Sequence, residues 1–314
     1  MTDADKALIN SMLGHGLKAS TTMDFTTGLA GGLDKVGFTR KDLYNYAEKQ
    51  RKMKVSEGDA HSALNYLQGK ADSDPKFFVR HTIDDEGCLE NLFWCDGHSQ
   101  FDYKCFGEVI AFDATYKINK YNKPFVMFTG NNIIFASALL VDESKETYIW
   151  VLEKLMEVMQ DKKPYAVVTD GDKAMRKAIE VVFPDACHCL CTWHLAKNAT
   201  SNIHSDKFTQ EMSRCIYANV DIETFEAEWK SLIEQFSLSN NKWVEKMYKK
   251  HHMWANAYLR KKFFAGIQTT SRCESTNSFF KKYLKSHYNL LEFVQHFERG
   301  MKITRYKEGL SHTL

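Results

Sequence analysis

The sequence predicts an α/β fold in which antiparallel strands open a sheet, parallel strands extend it, and a long run of helices interrupts it. Three observations predict this. Apolar stretches of strand length follow one another at 108–112, 124–129 and 133–141 with no helical period between them. From 146 onward, segments with helical spacing alternate with short apolar runs. From 190 to about 266 every segment carries a helical pattern, and this stretch is too long to be a loop.

Taken in order, residues 1–75 read as helical and polar. Thr39 can cap a helix that begins at Arg40, with Leu43, Tyr44 and Ala47 as its apolar positions, and 59–69 reads as a second short helix. The runs 77–83 and 89–94 flank the polar turn Asp84-Asp85-Glu86-Gly87 and read as a hairpin. The three strands named above follow. A helix over 146–159 places Tyr148, Val151, Leu152, Leu155 and Met159 at helical spacing. A strand over 165–169 ends at Asp170, a helix over 174–183 is stopped by Pro184, and a short strand lies near 186–189. Helices are expected at 209–217, 222–236, 243–250 and 290–306. The order strand, strand, strand, helix, strand, helix, strand is that of an RNase H-like domain. The expected layout is a helical appendage (1–75), a first part of the RNase H-like core with its leading hairpin (76–189), a large α-helical insertion (190–268) and the C-terminal helices of the core (269–314).

Composition supports a substantial core. Of 314 residues, 44% are hydrophobic, and only 4 prolines and 16 glycines argue against long disordered linkers. No apolar run of about 18 residues is present, so no membrane partner is expected. The opening Met-Thr-Asp-Ala-Asp-Lys is polar and unlike a secretory signal, so the 8 cysteines are read as thiols in a reducing compartment. The net charge of +2 conceals an asymmetry. Residues 241–314 carry 15 Lys and Arg against 5 Glu and no Asp, a net of +10, which leaves −8 for residues 1–240. The basic part suits a polyanion, although a solvated helical face would look the same.

Three acids stand in distinct settings. Asp113 closes an apolar strand in Phe-Asp-Ala-Thr-Tyr, and Asp170 closes another in Thr-Asp-Gly-Asp. Glu274 sits in Cys-Glu-Ser-Thr-Asn-Ser-Phe-Phe-Lys-Lys. On a helical wheel Glu274, Asn277, Ser278, Lys281 and Lys285 share one side, and Phe279, Phe280, Tyr283 and Leu284 the other. Two strand-end carboxylates and one helical carboxylate can hold two Mg²⁺ or Mn²⁺ ions for phosphoryl chemistry. Taken singly, each acid is more ordinarily a turn or cap residue, and Asp172 suits a cap for the helix that follows. Cys191-x-x-His194 has a spacing compatible with zinc, but no second ligand pair follows, so zinc is not expected in this chain. Lys281, Lys285, Arg260, Lys261 and Lys262 are candidate phosphate contacts, and equally suit an ordinary surface.

At these motifs the chain resembles the Mutator-like-element (MULE) transposase domain. The resemblance rests on Phe106-Gly107-Glu108-Val109 leading to Phe112-Asp113-Ala114-Thr115-Tyr116, on Thr169-Asp170-Gly171-Asp172-Lys173-Ala174-Met175, on Cys191-Thr192-Trp193-His194, and on the stretch from Glu274 to Lys281. The phrases at 35–45, Pro75-Lys76-Phe77-Phe78, Leu92-Phe93-Trp94, Asp142-Glu143-Ser144 and Phe183-Pro184-Asp185-Ala186 are similar to the FAR-RED IMPAIRED RESPONSE and related-sequence family, plant transcription regulators descended from such transposases. The resemblance implies Asp113, Asp170 and Glu274 in the DDE roles, DNA as partner, nuclear location and no small-molecule substrate. Homo- or hetero-dimers with family members are a further expectation. The family's flanking Cys/His-rich modules have no counterpart before residue 30 or after the last helix, so sequence-specific DNA recognition is not expected of this chain alone. Three functions follow: a domesticated transposase acting in transcription, an active Mg²⁺-dependent DDE transposase, and a non-catalytic dimerisation module.

Overall fold

The structure, a computed structural model, describes residues 1–115, 118–130, 133–260, 262–264, 276 and 278–311. The chain divides into two compact units. The smaller comprises residues 1–69, 119–121 and 280–314; the larger comprises 70–118 and 122–279.

The smaller unit is helical. Helices α1 (Asp3–Gly14), α2 (Ala19–Ala30) and α3 (Arg40–Lys54) are followed by α4 (Asp59–Ser73), and a final helix runs over Leu290–Ser311. Local signals start and stop these helices. Thr2 and Thr39 each form a capping box, with Asp5 and Asp42 answering from the third helical position. Gly31 ends α2 in the left-handed region, at φ 77°. Ile9, Met23, Phe38 and Leu43 form a small buried cluster. Asp59 caps the final helix from a distance: its carboxylate accepts from the backbone N–H of Leu290 at 2.8 Å and of Leu291 at 3.2 Å. Phe280 stacks on Phe297 with centroids 4.8 Å apart.

The larger unit is built on a seven-stranded, mixed and mostly antiparallel sheet. Its strands are β1 (Phe78–Ile83), β2 (Leu89–Cys95), β3 (Val109–Thr115), β4 (Phe125–Gly130), β5 (Ile133–Leu139), β6 (Ala166–Thr169) and β7 (Cys187–Leu190), in the order β1-β2-β5-β4-β3-β6-β7. The β3–β6 and β6–β7 pairs are parallel and the rest antiparallel. The expected hairpin is present, and its turn closes through Asp84, which accepts from Gly87 N–H and donates to Cys88 C=O.

Apolar residues cover both sheet faces, and alternation along β3 divides them. Ile110 and Phe112 join one cluster with Phe128 and Tyr148, while Val109 and Ala111 join another with Ala166, Val168 and Leu259. Between the strands lie α5 (Gly97–Phe106), α6 (Lys145–Val158) and α7 (Lys173–Val182). α5 was not among the sequence expectations. Its apolar pattern is thin: the buried positions are Ser99 and Tyr103, and Ser99 is held by donating its hydroxyl to Ile134 C=O at 2.8 Å. After β7 come α8 (Thr192–Ile203), α9 (Asp206–Tyr217), α10 (Ile222–Gln235), α11 (Lys242–Tyr248) and a one-turn helix at Asn256–Leu259. These enclose their own core around Phe208, Phe225, Trp229 and Trp254. Among the described residues, no helix is long and apolar enough to cross a membrane.

Candidate functional site

Parallel pairing of β3 with β6 sets the geometry of the acids. Ala111 is level with Val168, and Asp113 and Asp170 each lie two residues beyond that pair, Asp113 within β3 and Asp170 just after β6. The environment changes just there: β3 is buried through Phe112 and opens to half-buried at Asp113. Asp170, also half-buried, stands immediately after β6.

The turn beyond Asp170 is tightly specified. Asp170 accepts from Asp172 N–H at 2.9 Å, and Asp172 caps α7 by accepting from Ala174 and Met175. Asp172 is thus the cap expected from the sequence. Gly171 between them has φ +90°, and a Cβ there would lie 2.8 Å from a methyl of Leu190 on β7. Thr169 accepts from Gly171 N–H through its hydroxyl and pairs that hydroxyl with His188 Nε2 at 2.8 Å. Its carbonyl accepts from Cys191 N–H at 2.7 Å, which ties the acid-bearing turn to the start of α8.

Two further groups surround this edge. Burial raises the carboxyl of Glu143 above the ordinary range, and the charges of Asp172 and Asp170 add to the shift. Glu143 accepts from the Tyr148 hydroxyl at 3.0 Å, and burial followed by the Glu143 charge raises that phenol. Burial also pushes His188 down to about 4, helped by Arg176 and Lys250, and its Nδ1 is buried without a hydrogen-bond partner. The sequence signal for Glu143 was the Asp142-Glu143-Ser144 phrase, which identified a family feature without showing that it reaches Asp170. His188 was visible only as part of the Cys/His run.

Cys191 and His194 meet in the first turn of α8, where the buried Cys191 sulfur caps the helix by accepting from His194 N–H at 3.5 Å. Burial lowers His194, while the Asp170 charge pulls it back upward. The Trp193 ring lies edge-on to His194 at 4.8 Å, and the Lys197 ammonium sits 5.0 Å from the Trp193 centroid.

The remaining candidates are distributed between the units. Glu274 and Lys261 lie outside the described residues. Arg260 and Lys262 belong to the larger unit, where Arg260 donates to Val220 C=O at 3.2 Å. Lys281 and Lys285 belong to the smaller unit and stay together, Lys285 Nζ donating to Lys281 C=O at 3.2 Å. The expected helical sides hold for Phe280 and Leu284, which are buried, and for Lys281, which is exposed. From 281 to 283, however, the backbone is a turn, not continuing helix.

Carboxylates such as Asp113 and Asp170 are hard-oxygen donors suited to Mg²⁺ or Mn²⁺. Among the described residues no group of three His, Cys, Asp or Glu side chains is placed to hold a metal ion. A third ligand would have to come from elsewhere, and Glu274 is the expected one.

Residues 109–198, which run from β3 into α8, match the MULE transposase domain. More particularly, the chain is homologous over most of its length to the FAR-RED IMPAIRED RESPONSE 1 and FAR1-related proteins of Arabidopsis thaliana. It is 31% identical to FAR1-RELATED SEQUENCE 5, over 96% of this chain and 40% of that protein. It is 32% identical to FAR1-RELATED SEQUENCE 4, over 81% of this chain and 36% of that protein. With FAR-RED IMPAIRED RESPONSE 1 the identity is 29%, over 85% of this chain and 34% of the relative. The chain therefore spans some 34–40% of the length of these relatives.

Proposed function

We propose that this chain is the transposase-derived core of a nuclear, DNA-associated transcription regulator of the FAR-RED IMPAIRED RESPONSE type, and that it keeps a DDE metal site. The observation that supports the site is the β3–β6 register: Asp113 and Asp170 each lie two residues beyond the Ala111–Val168 pair. Homology over most of the chain supports the regulator reading. The strand order β5-β4-β3-β6-β7, with its antiparallel first half and parallel second half, supports an RNase H-like core over 76–189 and 269–314. The separate helical core between β7 and Leu259 supports 190–268 as an insertion.

In this reading Asp113, Asp170 and Glu274 would hold Mg²⁺ or Mn²⁺. Such ions, when bound, polarise phosphoryl oxygens and lower the pKa of bound water. The protein's own contribution is positional. Pairing of β3 with β6 sets the strands that carry the two aspartates, and the Gly171 turn brings the backbone after Asp170 against Leu190 of β7. Burial and the charges of Asp172 and Asp170 disfavour the ionised form of Glu143.

A second reading, an active DDE transposase, is favoured by the same register of β3 with β6. Calorimetric titration of Mg²⁺ and Mn²⁺ into the wild-type chain, Asp113→Ala and Asp170→Ala tests the site; binding lost in both variants is expected. Excision of a reporter element and activity at a reporter promoter then separate the readings. Promoter activity without excision supports the regulator, and excision abolished by either substitution supports the enzyme. Absence of divalent binding by the folded wild type, with and without DNA, would sink the metal site.

A further inference from the structure

We propose that the cavity in the smaller unit, between α1, α3 and the start of the final helix, is a binding site for a phosphate-bearing ligand of about nucleotide size. The cavity encloses about 670 Å³. Its lysine and arginine side chains are Lys18, Arg51, Lys54 and Arg299, with the imidazoles of His287 and His296 beside them, against only two carboxylates, Glu48 and Glu292.

These groups are arranged unequally. Arg51 is committed to the fold: it donates to Glu292 at 2.8 Å and to His287 C=O at 2.8 Å. That pairing also uses up Glu292, which accepts from Asn289 N–H as well. Among the described residues Lys18, Lys54 and Arg299 have no ion pair, so the positive charge facing the cavity is largely uncompensated. Burial holds His296 below the ordinary imidazole range; the Glu292 charge opposes this shift, and Arg299 and Lys54 add to it. One wall is aromatic: Tyr288 stacks on His296 with centroids 4.5 Å apart and planes within 13°.

The backbone closes on one side of this group. Gly16, at φ +78°, brings its backbone so near that a Cβ would lie 2.8 Å from His296 Cε1 and 3.0 Å from Arg299 Nη1. Converging cations with few acids suit a group carrying two or more negative charges, and guanidinium suits phosphate through paired N–H donors. A cavity of this size admits a nucleotide and excludes a duplex. The ligand is therefore a free organic polyphosphate or the phosphorylated end of a nucleic-acid strand. Only the second source rests on the DNA-associated reading above.

Binding would be measured by calorimetry with four probes: tripolyphosphate, ATP, a single-stranded oligonucleotide with a 5′ phosphate, and the same strand with a 5′ hydroxyl. The proteins are wild type, Lys54→Glu, Arg299→Gln and the control Lys41→Glu, an exposed lysine of the same helix as Lys54 outside the cavity. The expected result is saturable binding weakened about tenfold or more by Lys54→Glu and Arg299→Gln but not by Lys41→Glu. Binding of tripolyphosphate and ATP alone identifies a free polyphosphate. Preference for the phosphorylated over the hydroxyl strand identifies a strand end. Binding of no probe to the folded wild type, or equal weakening by all three variants, overturns the proposal. Metal titration at Asp113 and Asp170 reads the other site, so the two can fail separately.

Discussion

The two units solve the problem of placing charge in opposite ways. In the larger unit the sheet is apolar on both faces, and Asp113 and Asp170 stand where burial gives way along β3 and just after β6. Removing Asp113 or Asp170 would leave that core untouched. In the smaller unit the apolar cluster is small, and helix–helix contacts are completed by polar groups such as Asp59 and Arg51. Arg51 also lines the cavity, so charge and stability are coupled there and separate in the sheet.

Four substitutions or conditions sharpen this contrast. Phe128 is fully buried against Phe112, with centroids 5.2 Å apart, and Phe128→Ala should destabilise by about 3–5 kcal/mol in urea unfolding. A cost below about 1.5 kcal/mol would mean that the sheet core is looser than its burial indicates. The next effect depends on pH. The folded pKa of His188, about 4, lies below the ordinary imidazole value of 6.5. The folded state therefore binds the proton less well than the unfolded state. Stability is fully present above about 6.5 and is lost as pH falls toward about 4, by on the order of 3 kcal/mol. His188→Gln should flatten that limb of the profile; an unchanged slope would assign it to other groups.

Smaller effects belong to the helical unit. Asp59→Ala removes the acceptor for two N–H groups of the final helix and should cost about 1–2 kcal/mol, read as a lower urea midpoint. Thr39→Ala breaks one capping box and should cost about 1 kcal/mol, with Thr39→Ser restoring most of it. If Thr39→Ala costs as much as Phe128→Ala, the contrast between locally and globally stabilised units fails.

What could be read in the sequence follows the same division. Strands β3 to β7 were legible because continuous apolar runs separated by amphipathic helices have few other solutions. The helix after Thr39 was legible because its cap and first turn are local. Helix α5 was not, since a serine held by a backbone carbonyl replaces an apolar contact and leaves no period to see. Asp113 and Asp170 could be named from their strand ends. Glu143 could not be tied to them, because its raised carboxyl depends on burial and on charges that approach only in the folded chain. The cavity of the smaller unit was equally hidden: Gly16, Lys54 and Arg299 belong to three segments that only folding unites.

The parallel register of β3 and β6 also bears on how such a site is inherited. The strands that lead to the acids are paired with each other, whereas the chain between them passes through β4, β5 and α6. Loops in that excursion can lengthen or shorten without moving Asp113 away from Asp170. The interval between the two acids along the sequence is thus free to drift while their spatial relation stays fixed. Relatives are better recognised by the strand that carries each acid than by the number of residues separating them.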